Sequence, residues 1–233
     1  MIKATNAIIM CAGLGTRLRP ITLEIPKPLI KIQGKPILET IIEKLNEQQI
    51  DKIYVVVGYK KEMFLYLTNI YPNVVLVNNP DFDKANNISS IFYARKYLNN
   101  TFIIEGDLLI TDSSIFTAHE GKSFYNGFHV NKTDDWAFSI DEKMLIKAFF
   151  KGGENCYQMI GISYWNHNDA KKLKKDLEKI YNSSNQIFWD EVPLNYCKRN
   201  YNVYLREYDH FKVIEIDTIE ELIALDNSYN LYV

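Results

Sequence analysis

Short apolar runs alternate with longer amphipathic stretches through the first half of the chain. Residues 7–11 and 53–57 are unbroken or nearly unbroken apolar runs, as expected of strands buried on both faces, and residues 74–78 and 102–107 continue the series, the last ending in an acid. Between them, residues 36–49 carry Ile37, Leu38, Ile41, Ile42 and Leu45 at helical spacing, and helices are also expected over 61–71 and 87–98. This alternation is the pattern of βαβ units around a parallel sheet. After about Phe128 the texture changes to aromatic-rich strands, a Lys-rich helix over 169–180, strands over 201–205 and 213–217, and a closing helix from Ile219 to about Asp226. With no Gly/Ser linker, low-complexity tract or repeat between the halves, residues 1–233 are expected to form one α/β domain. Its expected core is a doubly wound, Rossmann-like mixed sheet flanked by helices, with a small insertion in the second half.

The composition, 47% hydrophobic and 24% charged over 233 residues, fits a soluble globular chain and excludes disorder and fibre. With 27 basic and 29 acidic side chains the net charge is −2, so no global positive field exists to hold a nucleic acid, and any polyanion is expected to be small and held locally. The apolar runs fall far short of the ~20 residues needed to span a bilayer. The start, Met1 to Asn6, lacks a basic-then-apolar export pattern, so neither a membrane nor a nucleic acid is expected as a partner and the location is expected to be cytoplasmic. Cys11, Cys156 and Cys197 are scattered and odd in number, which points to neither a disulfide framework nor a zinc site. The oligomeric state is left open.

The first strand runs into Ala12-Gly13-Leu14-Gly15-Thr16-Arg17-Leu18-Arg19-Pro20. Two glycines one residue apart after a buried strand permit positive φ and let backbone N–H groups approach phosphate oxygens, although a bare G-x-G is as readily a simple turn. A P-loop would need G-K-[ST] at its end and a redox dinucleotide site a third glycine where Leu18 stands; neither is present. Downstream, Pro26-Lys27-Pro28-Leu29 sets a lysine between two prolines, a stiff non-helical presentation in which the side chain is expected to bury little. Together the two segments resemble the nucleotidyltransferase family that activates sugar-1-phosphates and related small phosphates, whose signature is G-x-G-T-R-L-x-P followed by P-K-P-L. The resemblance is closest from Ala4 to about Gly58. It implies that the loop Ala12, Gly13, Leu14, Gly15, Thr16 and Arg17 wraps a nucleoside triphosphate, with Gly58 also on the nucleotide. It implies further that Arg17 contacts the β- and γ-phosphates and that Lys27 bridges nucleotide and acceptor phosphates. Such charge neutralisation and positioning is most of what nucleotidyl transfer requires.

Family members end a central strand and a late strand with acids that hold Mg²⁺, and the matching positions here are Asp107, which also borders the nucleotide, and Asp217. Glu105 and Glu215 are substitutes. Asp217 has a competing reading as the cap of the helix that follows it.

Ile160-Gly161-Ile162-Ser163-Tyr164-Trp165 resembles the family's sugar-holding strand, but no E-K-P segment precedes it, so a hexose pocket is not expected. Asp83-Lys84-Ala85-Asn86-Asn87-Ile88-Ser89-Ser90, Thr133-Asp134-Asp135-Trp136 and Phe188-Trp189-Asp190 resemble instead the choline-phosphate cytidylyltransferase branch. That resemblance implies CTP as donor, with Asn86, Asn87 and Ser89 beside the cytosine, and phosphocholine as acceptor. A trimethylammonium group has no N–H to donate and is best met by aromatic faces with acids nearby. The second-half insertion is accordingly expected to bind the acceptor between Trp136 with Asp135 and Trp189 with Asp190, walled by Tyr164 and Tyr196; the competing reading makes each tryptophan core.

The expected reaction is transfer of CMP from CTP to phosphocholine, giving CDP-choline and pyrophosphate. Two alternatives stay open. One is a cytidylyl- or uridylyltransferase acting on aminoethylphosphonate, a phosphorylated amino acid or a sugar-1-phosphate, and a primary ammonium would call for more carboxylate and less aromatic wall. The other is a catalytically silent nucleotide-binding domain. Because the acceptor phosphate is itself an adequate nucleophile, with a second pKa of about 6, no general base is expected and His119, His129, His167 and His210 receive no role.

Overall fold

A computed structural model describes residues 4–117 and 121–232. Met1 and His119 lie outside the described residues. In chain order the elements are β1 (Asn6–Cys11), α1 (Ile21–Glu24), β2 (Lys31–Ile32), β3 (Lys35–Pro36), α2 (Ile37–Glu47), β4 (Lys52–Val57), α3 (Leu67–Ile70), β5 (Val74–Asn78), α4 (Ile88–Ala94), β6 (Thr101–Glu105), β7 (Leu108–Ile110), β8 (Ser123–Ile140), β9 (Ile146–Trp165), α5 (His167–Ser183), β10 (Val203–Glu207), β11 (Val213–Glu215) and α6 (Ile219–Leu225).

Seven strands form one sheet in the order β10-β8-β9-β6-β1-β4-β5. The block β6-β1-β4-β5 is parallel, and β9 runs antiparallel to both β6 and β8, which makes the sheet mixed as expected. Strand alternation explains why both faces are covered. Ala7, Ile9 and Cys11 of β1 join the apolar face of α2, Leu38, Ile41, Ile42 and Leu45, while Ile8 joins Ile88 and Ile91 of α4 and Leu173 and Leu177 of α5 on the other side. A third cluster, Leu18, Ile21, Ile30, Ile37, Ile216 and Leu222, packs the loop after β1 against the last strand and helix.

The structure departs from the sequence expectations in three places. Residues 61–71 are not one helix but a 3₁₀ turn, Lys61–Phe64, and the short α3, because only Phe64 and Leu67 are buried while Leu65 and Ile70 point outward. The helix expected over 87–98 ends at Ala94 and tightens into a 3₁₀ turn, Arg95–Tyr97. The aromatic-rich strands are one long hairpin, β8 and β9, that folds back on itself: Ala137 and Phe138 pair with Gln158 and Tyr157 on one side and with Phe150 and Phe149 on the other. This fold-back is the insertion of the second half. Among the described residues no helix is long and apolar enough to cross a membrane.

Candidate functional site

A cleft of about 830 Å³ opens at the carboxyl ends of β1, β5 and β6, lined by Cys11, Asn79 and Glu105 at those strand ends. That is where open α/β sheets bind ligands. The loop leaving β1 forms one side. Gly15 sits at φ 61°, and a Cβ there would stand 3.0 Å from Thr22 Cγ2 and 3.1 Å from Lys27 Cβ, so no other residue fits without displacement. The Thr22 hydroxyl donates to Gly15 O at 2.8 Å, and fully buried Leu18 anchors the loop from behind. Ala12, Gly13, Gly15, Thr16 and Arg17 face the cleft; Leu14 does not line it.

Lys27 is buried, contrary to expectation, because it fills the gap between two acids rather than projecting from its loop. Its Nζ donates to Asp107 Oδ2 at 2.7 Å and Asp217 Oδ1 at 2.8 Å, and Arg17 Nη1 donates to Asp217 Oδ2 at 2.6 Å. Burial alone would lower the Lys27 pKa, but the two carboxylates overcome it and hold the ammonium above its ordinary value. Burial would likewise raise Asp217, and Lys27 with Arg17 outweighs it, so that its carboxyl lies below the usual range.

The two acids meet because β11 pairs antiparallel with β7, Glu215 opposite Leu108, and Ile216 N donates to Asp107 O at 3.3 Å. Asp217 does not cap α6. Thr218 does, accepting from Glu221 N at 3.2 Å, while Glu221 Oε2 accepts from the backbone N–H of Asp217 and Thr218 at 2.7 and 2.9 Å. The Asp217 carboxylate is thereby left for the cleft.

Carboxylate oxygens of Glu105, Asp107 and Glu215 lie within 4.8 Å of one another. Burial, then the neighbouring Asp107 and Glu215, push Glu105 well above the carboxylate range; burial, Asp107 and Asp217 push Glu215 up to about 8. Asp107 Oδ1 is buried with no hydrogen-bond partner. An all-oxygen donor set with an orphaned buried acceptor is what a hard divalent cation relieves, and the residues fit one.

On the far side of the glycine loop, Asn86, Asn87 and Ser89 line the cleft. Asn79 joins them and was not singled out in the sequence: almost fully buried, it donates to Ser89 Oγ at 2.9 Å and Ser90 Oγ at 3.2 Å. A polar Asn following the apolar run of β5 was the available signal. Gly58 does not line the cleft; a Cβ there would lie 2.5 Å from Phe82 Cβ, so its bareness admits Phe82, which does line it.

The end expected to hold an acceptor differs most from expectation. Trp136, Asp135 and Asp190 face the cleft. Trp189 is 2% exposed and packs in the core against Tyr125 and Trp165, ring centroids 6.0 Å away in each case. Tyr164 lies in the core on the opposite sheet face, stacked on Phe124, and Tyr196 is exposed away from the cleft. The indole of Trp189 is drawn inward by its apolar area while its neighbour Asp190 turns to the cavity, so no two-tryptophan cage forms. The aromatic part is instead Trp136, stacked on Phe149 at 4.6 Å and edge-on to Phe188 at 5.4 Å.

Beside this corner stand two acids, half-buried Glu105 and buried Asp190. Asp190 accepts from the Tyr125 hydroxyl at 2.7 Å; burial pushes it up to about 7, against the opposing effect of that hydrogen bond. Glu105 lies over Gly161, where a Cβ would come within 2.5 Å of Glu105 Oε2.

Sequence and structure comparisons agree with this geometry. The Nucleotidyl transferase family pattern matches residues 6–120. A 2-aminoethylphosphonate cytidylyltransferase of Lancefieldella rimae is 42% identical over 232 residues, covering 97% of this chain and 94% of that one. A choline-phosphate cytidylyltransferase of Streptococcus pneumoniae is 29% identical over 95% of this chain and 96% of its own length. The solved structure of a CTP:phosphocholine cytidylyltransferase from Streptococcus pneumoniae superposes with a TM-score of 0.87 at 30% identity, covering 96% of this chain and 98% of that one. With the glycine loop, the buried lysine and the paired acids in one cleft, and with relatives of this kind along its whole length, the chain belongs to the nucleotidyl transferase family.

Proposed function

We propose that this protein transfers CMP from CTP to a small phosphonate or phosphate carrying a primary ammonium, with 2-aminoethylphosphonate as the acceptor. The observation that carries this reading is the pair of acids, half-buried Glu105 and buried Asp190, at the acceptor end of the cleft, where the expected second tryptophan is absent. A primary ammonium brings three N–H donors and satisfies buried carboxylates. A trimethylammonium brings none, so beyond the Tyr125 hydroxyl that already meets Asp190 it offers these acids no hydrogen bond. The relative that acts on 2-aminoethylphosphonate supports the same choice. Phosphocholine remains the second reading, favoured by the Trp136–Phe188 corner beside Asp135 and by the choline-phosphate relatives.

In this reading the Gly13–Gly15 loop and Arg17 receive the triphosphate, and an acceptor oxygen attacks the α-phosphorus in line as pyrophosphate leaves. Lys27 turns from its two carboxylates toward phosphate oxygens, neutralising charge that develops between donor and acceptor. Mg²⁺ is the cofactor we propose, held by Asp107 and Asp217 with Glu215 and Glu105 close behind; when bound it supplies charge neutralisation on the phosphates. No side chain is needed as a nucleophile or general base.

The test is pyrophosphate release from CTP or UTP with 2-aminoethylphosphonate, phosphoethanolamine or phosphocholine. Release with CTP and a primary amine supports the reading. Release with phosphocholine alone replaces it with the second, and release with none of them overturns both.

A further inference from the structure

Residues 84–87 and 185–189 are stitched together by backbone and side-chain hydrogen bonds. Asn86 N donates to Asn185 O at 2.9 Å, Asn86 Nδ2 to Gln186 O at 3.2 Å, and Gln186 Nε2 back to Lys84 O at 2.7 Å. The last rung is Asn87, whose Oδ1 accepts from the backbone N–H of Trp189 at 2.8 Å. Trp189 is buried, so this N–H would stand unpaired in a dry place without Asn87. On either side of it, Phe188 and Asp190 line the acceptor end, whereas Asn86, Asn87 and Ser89 line the nucleobase end. Asn86 Oδ1 is committed as well, accepting from Asn87 N at 2.7 Å, so the side-chain oxygens of both residues are spent on bracing rather than on a base.

We infer that Asn87 is a positioning residue for the acceptor: it fixes Trp189, and through it Phe188 and Asp190, to the loop that meets the nucleobase, so that nucleotide binding orders the acceptor wall. Ordering 84–90 with a nucleotide restrains 185–190 through the same rungs, and by reciprocity a bound acceptor tightens the nucleotide. This differs from the expectation that Asn87 reads cytosine, and it rests on the assignment of the Glu105–Asp190 end to the acceptor.

The experiment has two arms on the intact chain. In the first, hydrogen exchange at the Trp189 amide is followed with and without α,β-methylene-CTP. The nonhydrolysable nucleotide should slow exchange at least ~10-fold in the wild type and have little effect in Asn87→Ala. In the second, steady-state kinetics of Asn87→Ala should show acceptor KM raised at least ~5-fold while the Kd of α,β-methylene-CTP measured without acceptor stays within about twofold, and Asn87→Asp, which keeps an oxygen at that point, should restore acceptor KM. If Asn87→Ala proves too unstable for kinetics, the exchange ratio in wild type and Asn87→Asp decides. Nucleotide-independent exchange in the wild type, or a nucleotide Kd without acceptor that rises as much as the acceptor KM, overturns the inference. A wild type that turns over none of the amines overturns the acceptor reading instead, and the exchange arm then judges the bracing role by itself.

Discussion

Lys27 shows how far one side chain departs from its local sequence. Flanked by prolines it reads as a loop lysine, yet its ammonium sits between Asp107 and Asp217 and occupies the ground a metal cation would neutralise. Lys27→Met keeps the bulk and leaves two partly buried carboxylates without compensation. In the absence of divalent cations it should lose about 1–3 kcal/mol of stability and turn over at least ~10²-fold more slowly. Mg²⁺ should raise its Tm more than that of the wild type, and an unchanged Tm without metal would remove Lys27 from this electrostatic role. Asp190 gives a pH signature. Its carboxyl, ordinarily near 3.8, is pushed up to about 7 by burial, so the unfolded chain ionises first. The stability from this group is therefore complete below about pH 4 and lost between about pH 4 and 7, on the order of 4 kcal/mol for the full shift. Asp190→Asn should flatten that slope in denaturant titrations at pH 5 and 8. It should also abolish the improvement in acceptor KM expected as pH rises through 7 and the carboxylate ionises. A variant with the wild-type slope would place the titration elsewhere.

Helix α6 positions Asp217 from outside the cleft. Thr218 and Glu221 close a reciprocal cap whose glutamate also holds the Asp217 N–H, so Thr218→Ala should cost about 1 kcal/mol and reduce turnover through a loosened Asp217. A thermal melt with an activity assay checks both, and loss of stability with full turnover would mean that the cap does not position the acid. The signal for this cap was already present, since Thr218-Ile219-Glu220-Glu221 fits the capping-box pattern and could have decided between the two readings of Asp217. Strands β1, β4 and β5 and helix α2 were legible for a similar reason: their apolar spacing alone dictates their burial. The fold-back of β8 and β9 was not, because an aromatic-rich run does not say which of its neighbours it pairs with twice. Nor was the inward turn of Trp189, since adjacent residues in a nonregular segment face independent directions and only the packing of Tyr125 and Trp165 chooses between them.

The molecule as a whole divides its labour across the sheet. The β1 loop and the paired acids that follow β6 and β11 gather charge at the centre, residues 84–90 close one end, and the β8–β9 hairpin with the segment after α5 closes the other. The central motif was readable because its chemistry is carried by contiguous residues; the proposed acceptor end is assembled from Glu105, Trp136, Phe188 and Asp190, drawn from separate segments, and only the fold brings them together. Acceptor choice is therefore the claim on which the account stands. Equal concentrations of 2-aminoethylphosphonate and phosphocholine in one reaction with CTP and Mg²⁺ give a product ratio equal to the ratio of their kcat/KM values, read directly by mass spectrometry. The carboxylate-lined end predicts cytidylyl-aminoethylphosphonate in at least ~10-fold excess, about 1.4 kcal/mol of discrimination; an excess of CDP-choline would contradict it.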